Sequence, residues 1–386
     1  MGSCSRDRLL AADGGQSRTL LSAARKRFQA QDMIETVSNI EPETLARFDA
    51  IIDVRSPAEF AEDRLPGAIN LPVLDDAERA EVGTVYKQES RFKARRIGAA
   101  YVARNVARHL ENALADRPKG FHPLIYCWRG GMRSNAMATI LAQVGWRCGV
   151  LEGGYKTWRR AVTAGLRNSE EALPVILLDG QTGTAKSDVL RAATREGVQT
   201  LDLEDFAHHR GSVFGGYINN PQPEQKYFET RIFDRLRDFD LSKPILVEAE
   251  SNRIGRCEIP KRLWTAMQNA PRITLTAPLA ARAAYLLTAY PDITGDKSAA
   301  FAAIDRLKPF HSRETLADWR ALAEAADWRG LAADLMRAHY DPAYERSRQR
   351  GRCGAALAEY NLGELDSATF ERVAKEIASA LLSAQR

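Results

Sequence analysis

Two apolar runs, each broken by a glycine-containing loop and followed by a helical pattern, constrain this chain more than any other feature. Leu124-Ile125-Tyr126 leads into Cys127-Trp128-Arg129-Gly130-Gly131-Met132-Arg133-Ser134. Val175-Ile176-Leu177-Leu178 leads into Gly180-Gln181-Thr182-Gly183-Thr184-Ala185-Lys186-Ser187. A buried strand that ends in such a loop and feeds a helix turns successive N–H groups inward, which makes an anion cradle. Two such units in 386 residues predict two α/β domains of ordinary size.

Composition excludes several alternatives. An apolar fraction of 45% with 27% charged residues is that of a globular chain. The net charge of +5 permits a polyanionic partner without requiring one. The five cysteines (4, 127, 148, 257 and 353) are sparse and form no CxxC, so neither a disulfide framework nor a zinc site is expected. The histidines show no metal-ligand spacing, and no metal or tightly bound cofactor is expected. No apolar run approaches the ~18 residues of a membrane span. Arg6, Asp7 and Arg8 interrupt any secretory core, and Arg6 stands where a myristoylation signal needs Ser or Thr. The expected setting is the reducing cytoplasm, with no membrane partner.

Residues 1–36 read as a flexible extension, or as sequence ahead of a start at Met33. Residues 37–166 alternate strands (50–54, 124–126, 148–151) with helices, including one from Ser134 to Val144 closed by Gly145. A basic helical insertion fills 78–115, with Tyr101, Val102, Val106, Leu110 and Leu114 inward. Its span 78–108 holds eight Lys/Arg against three Glu. The candidates for RNA phosphate contacts are Lys87, Arg91, Lys93, Arg95, Arg96, Arg104 and Arg108, set against the alternative of a solvated helix face. Asn168–Pro174 is a polar linker. The second domain, 170–386, opens with strands 175–178 and 200–203 and is mostly helical beyond about 260, with a last helix from Ser367.

The first loop carries a nucleophile. Gly130 and Gly131 allow a tight cup, whose N–H groups and helix N-terminus favour a Cys127 thiolate over a thiol. The same donors suit phosphate, selenophosphate or a charged persulfide, with Trp128 and Met132 in the loop, Arg129 at the rim and Arg133 closing the ring. From Cys127 to Arg133 the loop has seven members, roomy enough for a tetrahedral oxyanion, which leaves a phosphatase reading open.

The second loop is a P-loop in which Ala185 replaces the second framework glycine. Gly180, Gly183, Thr184 and Ala185 would cradle phosphate, Lys186 would neutralise it, and Ser187 could meet Mg²⁺. A Cβ at 185, close to the phosphate, would disfavour ordinary ATP or GTP hydrolysis while allowing diphosphate. Glu248 and Glu250 fit either a Walker-B role or a strand-end structural role. His208, His209 and Arg210 are candidates for diphosphate or RNA contacts, or a solvated helix start. Tyr217, Tyr227 and Phe228 could stack a base, line a lipid-sized pocket or sit in the core. No role is assigned to His339-Tyr340-Asp341-Pro342-Ala343-Tyr344.

Over about 130 residues the first domain resembles the rhodanese superfamily. The resemblance rests on Asp53-Val54-Arg55-Ser56-Pro57-Ala58-Glu59-Phe60, Leu65-Pro66-Gly67-Ala68-Ile69-Asn70-Leu71-Pro72 and Leu151-Glu152-Gly153-Gly154-Tyr155 through Trp158. Together with the P-loop, Asp202–Ser212, Val247–Ser251 and His339–Pro342, the chain resembles the tRNA 2-selenouridine synthase family from about residue 36 onward. That resemblance implies a rhodanese-like domain followed by a P-loop NTPase-like α/β domain with a helical C-terminal part. It implies conversion of wobble 2-thiouridine in tRNA to 2-selenouridine through an S-geranyl intermediate. Selenophosphate and geranyl diphosphate would be substrates, Cys127 would accept selenium, and an enzyme that supplies selenophosphate would be a partner. A rhodanese-type sulfurtransferase or persulfide carrier with a nucleotide-binding domain is the alternative.

Overall fold

The computed structural model describes residues 30–167, 172–218, 220–350 and 354–383. Most of the expected N-terminal extension, most of the linker, Cys4 and Cys353 lie outside them. The chain forms two compact units, one holding the chain through Arg55 with Leu71–Gly154, the other Ser56–Asn70 with Tyr155 onward.

The first unit is built around strands β1 (Ile34–Val37), β2 (Ala50–Asp53), β4 (Pro123–Tyr126) and β5 (Cys148–Leu151); with β3 (Ala68–Asn70) they make a sheet ordered β1-β5-β4-β2-β3. β2 pairs β4 in parallel with Ile52 opposite Ile125, and β4 pairs β5 with Ile125 opposite Val150. Parallel strands covered on both faces need continuous apolar residues, which is why Leu124, Ile125 and Tyr126 are all fully buried. Helices α1 (Asp76–Gln88) and α2 (Arg91–Glu111) occupy the expected insertion. A reciprocal capping box starts α1: Glu78 N–H donates to Asp75 at 2.7 Å, and Asp75 N–H to Glu78 at 3.0 Å. Val106 and Leu114 are buried as expected, while the seven candidate basic residues are all exposed. Helix α3 (Met132–Val144) follows β4 and ends at Gly145, whose φ of 107° gives a left-handed cap.

The second unit begins with α4 (Tyr155–Leu166), β6 (Val175–Gly180), α5 (Lys186–Arg195), β7 (Gln199–Leu201), α6 (Leu203–Ala207), α7 (Gln225–Arg237) and β8 (Ile245–Glu248). Beyond residue 260 the chain is mostly helical, as expected, with two strands that the sequence reading does not contain. Two strands, β9 (Arg272–Thr276) and β10 (Ala356–Asn361), join the sheet, whose order is β10-β9-β6-β8-β7 with every pair parallel. Its other late elements include α8 (Leu279–Ala289), α9 (Trp328–Leu335), a π-helical turn at Met336–Tyr340, α10 (Asp341–Arg350) and α11 (Ser367–Ser383). The strand expected through residue 203 stops at Leu201, because the Asp202 carboxylate accepts from Asp205 N–H at 2.8 Å and starts α6. Phe370, Val373, Ile377 and Leu381 of α11 share an apolar cluster with Val189, Leu190 and Ala193 of α5. Burial of each large side chain stabilises this packing by about 2 kcal/mol.

Candidate functional site

At the end of β4, Cys127 is 3% exposed, and its Sγ accepts from Gly131 N–H at 3.3 Å and from the Ser134 hydroxyl at 3.4 Å. Burial alone pushes this thiol up; the Ser134 hydroxyl and the N–H groups of Arg129, Ser134 and Gly131 outweigh it and hold the thiol below its ordinary value. The buried Cys148 thiol lacks such donors, and burial pushes it to about 12. The cup closes against the β5–α4 turn. A Cβ at Gly130 (φ 62°) would meet the Leu151 carbonyl at 2.4 Å, and one at Gly154 (φ 57°) the Cys127 carbonyl at 2.2 Å. Met132 is 68% exposed at the start of α3 and Arg129 is also exposed, while Trp128 and Arg133 are half-buried. Asp53 and Arg55 are fully buried and paired through Arg55 Nη2 and Asp53 Oδ2 at 2.6 Å, which makes them framework rather than chemistry.

The lysine loop has the P-loop geometry. Lys186 opens α5 and its Nζ donates to the Gly180 carbonyl at 3.0 Å. Ala185 takes a left-handed φ of 58°, a conformation that costs a non-glycine residue about 1 kcal/mol. Its side chain is buried in the apolar cluster with Ile176, Leu178 and Val189, and the residue also lines the cavity beside the loop. Gly183 (φ 83°) has Arg282 Cβ only 3.1 Å from where its own Cβ would stand.

The loop opens on a cavity of about 1130 Å³ that Gly180, Gly183, Thr184, Ala185, Lys186 and Ser187 all line. Carboxylates gather at its base. Ser187 Oγ donates to Glu204 Oε2 at 3.0 Å, and Glu204 N–H donates to Glu248 Oε2 at 3.3 Å. Burial, then the neighbouring charge of Glu204, push Glu250 up to about 8 against the opposing pull of Lys186. Burial and the charges of Glu204, Asp202 and Glu250 also hold the fully buried Glu248 well above the usual carboxylate range. Among the described residues no group of three or more His, Cys, Asp and Glu is arranged to hold a metal.

Sequence reading left the 339–344 segment without a role; the structure gives it one. Asp341 accepts from Arg282 Nη1 at 2.9 Å and Nη2 at 2.8 Å, and the same Nη1 donates to the Thr182 carbonyl of the P-loop at 3.1 Å. Arg282 is 4% exposed. Tyr340, Ala343 and Tyr344 line the cavity. The π-turn at Met336–Tyr340 thus delivers Asp341 to a buried arginine that holds the phosphate loop. Such turns cluster at functional sites, but nothing in the local sequence could have linked Arg282 to a loop 100 residues earlier.

Beside the phosphate loop lies a small apolar cavity that includes Phe214, Leu287, Trp328, Leu331, Leu335 and Met336. It shares Thr182, Ser212, Leu286, Tyr290 and Tyr340 with the large one. Of the 208–210 candidates, Arg210 lines the large cavity, while His208 and His209 are not among its lining residues. The guanidinium of Arg210 is already paired with Asp292 at 2.8 Å. Tyr217 lines the cavity, Phe228 is fully buried, and Tyr227 lies under Arg64, 3.7 Å from its ring centroid.

Comparison with known proteins matches both parts of the chain to known domains. Residues 35–161 match the rhodanese-like domain family, and residues 173–303 match the tRNA 2-selenouridine synthase AAA domain. Relatives named tRNA 2-selenouridine synthase include one from Shewanella halifaxensis (strain HAW-EB4), 35% identical over 246 residues, covering 62% of this chain and 65% of that protein. Another, from Nitrosomonas europaea, is 35% identical over 236 residues, covering 60% and 61%. A third, from Shewanella loihica (strain ATCC BAA-1088 / PV-4), is 36% identical over 252 residues, covering 64% and 66%. The match thus spans a little under two thirds of the first relative's length. No helix among the described residues is long and apolar enough to cross a membrane. Over a little under two thirds of its length this chain is similar to proteins named tRNA 2-selenouridine synthase, and it carries a rhodanese-like domain ahead of a domain of the tRNA 2-selenouridine synthase AAA type.

Proposed function

We propose that this protein converts wobble 2-thiouridine in tRNA to 2-selenouridine through S-geranyl-2-thiouridine, with geranyl diphosphate and selenophosphate as substrates. The observation that carries this reading is the phosphate cradle sharing five lining residues with an apolar cavity. Such a pair fits a ligand with a diphosphate head and a hydrocarbon tail. At about 70 Å³ the apolar cavity takes the end of a prenyl chain, leaving the rest of the ten carbons along Leu286 and Tyr290.

In the first step the thiocarbonyl sulfur attacks C1 of the prenyl group, the C–O bond breaks, diphosphate departs, and the N3 proton of the base passes to water or to the released diphosphate. Lys186 leaves the Gly180 carbonyl to neutralise the departing charge, while the loop amides hold the diphosphate oxygens. Mg²⁺ carried in with the diphosphate would be met by the Ser187 hydroxyl and the Glu204 carboxylate.

The second step belongs to the Cys127 cup. Thiolate sulfur and the selenium of selenophosphate are both fully reduced, so a selenenylsulfide on Cys127 would need an added oxidant. The balanced role is attack of the thiolate on phosphorus: the S–P bond forms, the P–Se bond breaks, and hydrogen selenide is released. Water then cleaves the S–P bond and frees phosphate. Hydrogen selenide adds at C2 of the alkylated base, and the C2–S bond breaks with loss of geranylthiol; one selenide proton leaves on that thiol and the other returns to N3. Exposed Lys87, Arg91, Lys93, Arg95, Arg96, Arg104 and Arg108 would bind tRNA phosphates and set its position.

The test is nucleoside mass analysis of 2-thiouridine-containing tRNA after incubation with the protein. Geranyl diphosphate alone should yield the S-geranyl nucleoside, and added selenophosphate should convert it to 2-selenouridine. Unchanged 2-thiouridine under both conditions overturns the proposal.

A further inference from the structure

We infer that Tyr217 is the platform on which the substrate nucleobase stacks, an assignment that rests on the RNA-modifying function proposed above. Tyr217 lines the large cavity, yet it is 41% exposed, so core packing does not account for its ring. Behind it the guanidinium carbon of Arg210 lies 4.0 Å from the Tyr217 ring centroid and 4.5 Å from that of Tyr290. Arg210 is fixed in turn: Nη2 donates to Asp292 Oδ1 at 2.8 Å and Nη1 to Oδ2 at 3.3 Å. Its backbone N–H donates to the Gly215 carbonyl at 2.9 Å, within a tight turn that also pairs His209 with Gly216. The Tyr290 hydroxyl and Ser212 Oγ lie 3.1 Å apart, tying the far ring to the same turn.

The result is a rigid, cation-backed aromatic surface left open in the cavity that holds Lys186. A guanidinium already neutralised by a carboxylate is poorly placed to serve as a phosphate contact, so Arg210 supports the ring instead. Flat rings of this kind bind single-stranded nucleobases through their faces, without regard to hydrogen-bond pattern. An unpaired uridine derivative stacked there would lie in the same cavity as the prenyl diphosphate that alkylates it. Packing of the prenyl chain on Tyr217 is the competing occupancy.

The experiment uses the full-length protein and an anticodon stem–loop RNA carrying 2-thiouridine, with RNA and geranyl diphosphate varied separately. Tyr217→Ala should raise KM for RNA roughly tenfold or more while leaving KM for geranyl diphosphate within about twofold. Tyr217→Phe should restore the wild-type value. In Tyr217→Trp, the added indole emission should be quenched by the RNA and not by geranyl diphosphate. An unchanged RNA KM in Tyr217→Ala, or a rise confined to geranyl diphosphate, overturns the inference. If the wild-type protein alkylates no RNA, the proposed function fails, and the quenching experiment still decides whether the base stacks on position 217.

Discussion

Arg282 and Asp341 form a two-pronged ion pair at 2.8 and 2.9 Å, and the same guanidinium holds the Thr182 carbonyl of the phosphate loop at 3.1 Å. The pair fixes the loop that, in the function proposed above, presents its amides to diphosphate, and it joins that loop to the C-terminal helices. Removing the carboxylate with Asp341→Ala leaves a buried guanidinium uncompensated, which costs about 3–5 kcal/mol. Denaturant titration should show that loss, and Asp341→Glu should recover part of it. Diphosphate affinity should fall in parallel; unaltered stability would remove the clamp from the account.

Ala185 gives a sharper test of the loop itself. Its left-handed backbone favours glycine, but its methyl is buried in the core, and the two effects oppose each other at about 1 kcal/mol each. Ala185→Gly should therefore unfold within about 1 kcal/mol of wild type and keep its diphosphate affinity. A β-branched residue cannot take this φ easily, so Ala185→Val should lose more than about 2 kcal/mol. Equal stability of the two variants would contradict the backbone assignment.

The carboxylates under the loop should make stability depend on pH. Glu250 titrates near 8 in the folded protein because burial and Glu204 raise it, whereas an unfolded glutamate titrates near its ordinary value of about 4.3. Between those limits the folded state binds more protons than the unfolded state. Its contribution to stability therefore falls as pH rises from about 4.3 to 8 and levels off above. Glu250→Gln should flatten that slope in denaturation curves taken across this range. A slope identical to wild type would mean that Glu250 is ionised in the fold.

Both loops were legible from sequence because a buried parallel strand, a glycine-bearing turn and a helix start are local signals. Cys127, Lys186 and their neighbours stand where that pattern put them. The elements that adjust the loops were not legible, since they arrive from far along the chain. Arg282 reaches Thr182 across 100 residues, and Asp341 comes with a π-turn that periodicity does not mark. β10 was missed because its side chains alternate between exposed and half-buried at the sheet edge, so it carries little apolar signal.

Ser134 controls the thiol by one hydrogen bond at 3.4 Å. Its hydroxyl helps hold Cys127 below the ordinary thiol range, so Ser134→Ala should move the alkylation profile to higher pH. Iodoacetamide kinetics against pH, corrected with a Cys127→Ser background, read this directly. The wild-type rate should remain high below about pH 8.5, where a free cysteine slows. Superimposable profiles would show that Ser134 plays no part in activation.

The division of labour between the two loops is tested most directly by the nucleosides that Cys127→Ala leaves on tRNA. Mass analysis after incubation with geranyl diphosphate and selenophosphate should show S-geranyl-2-thiouridine accumulating, with 2-selenouridine absent. Undiminished 2-selenouridine, or loss of both products from a variant that still folds, would contradict the assignment of selenium chemistry to Cys127 and alkylation to the phosphate loop.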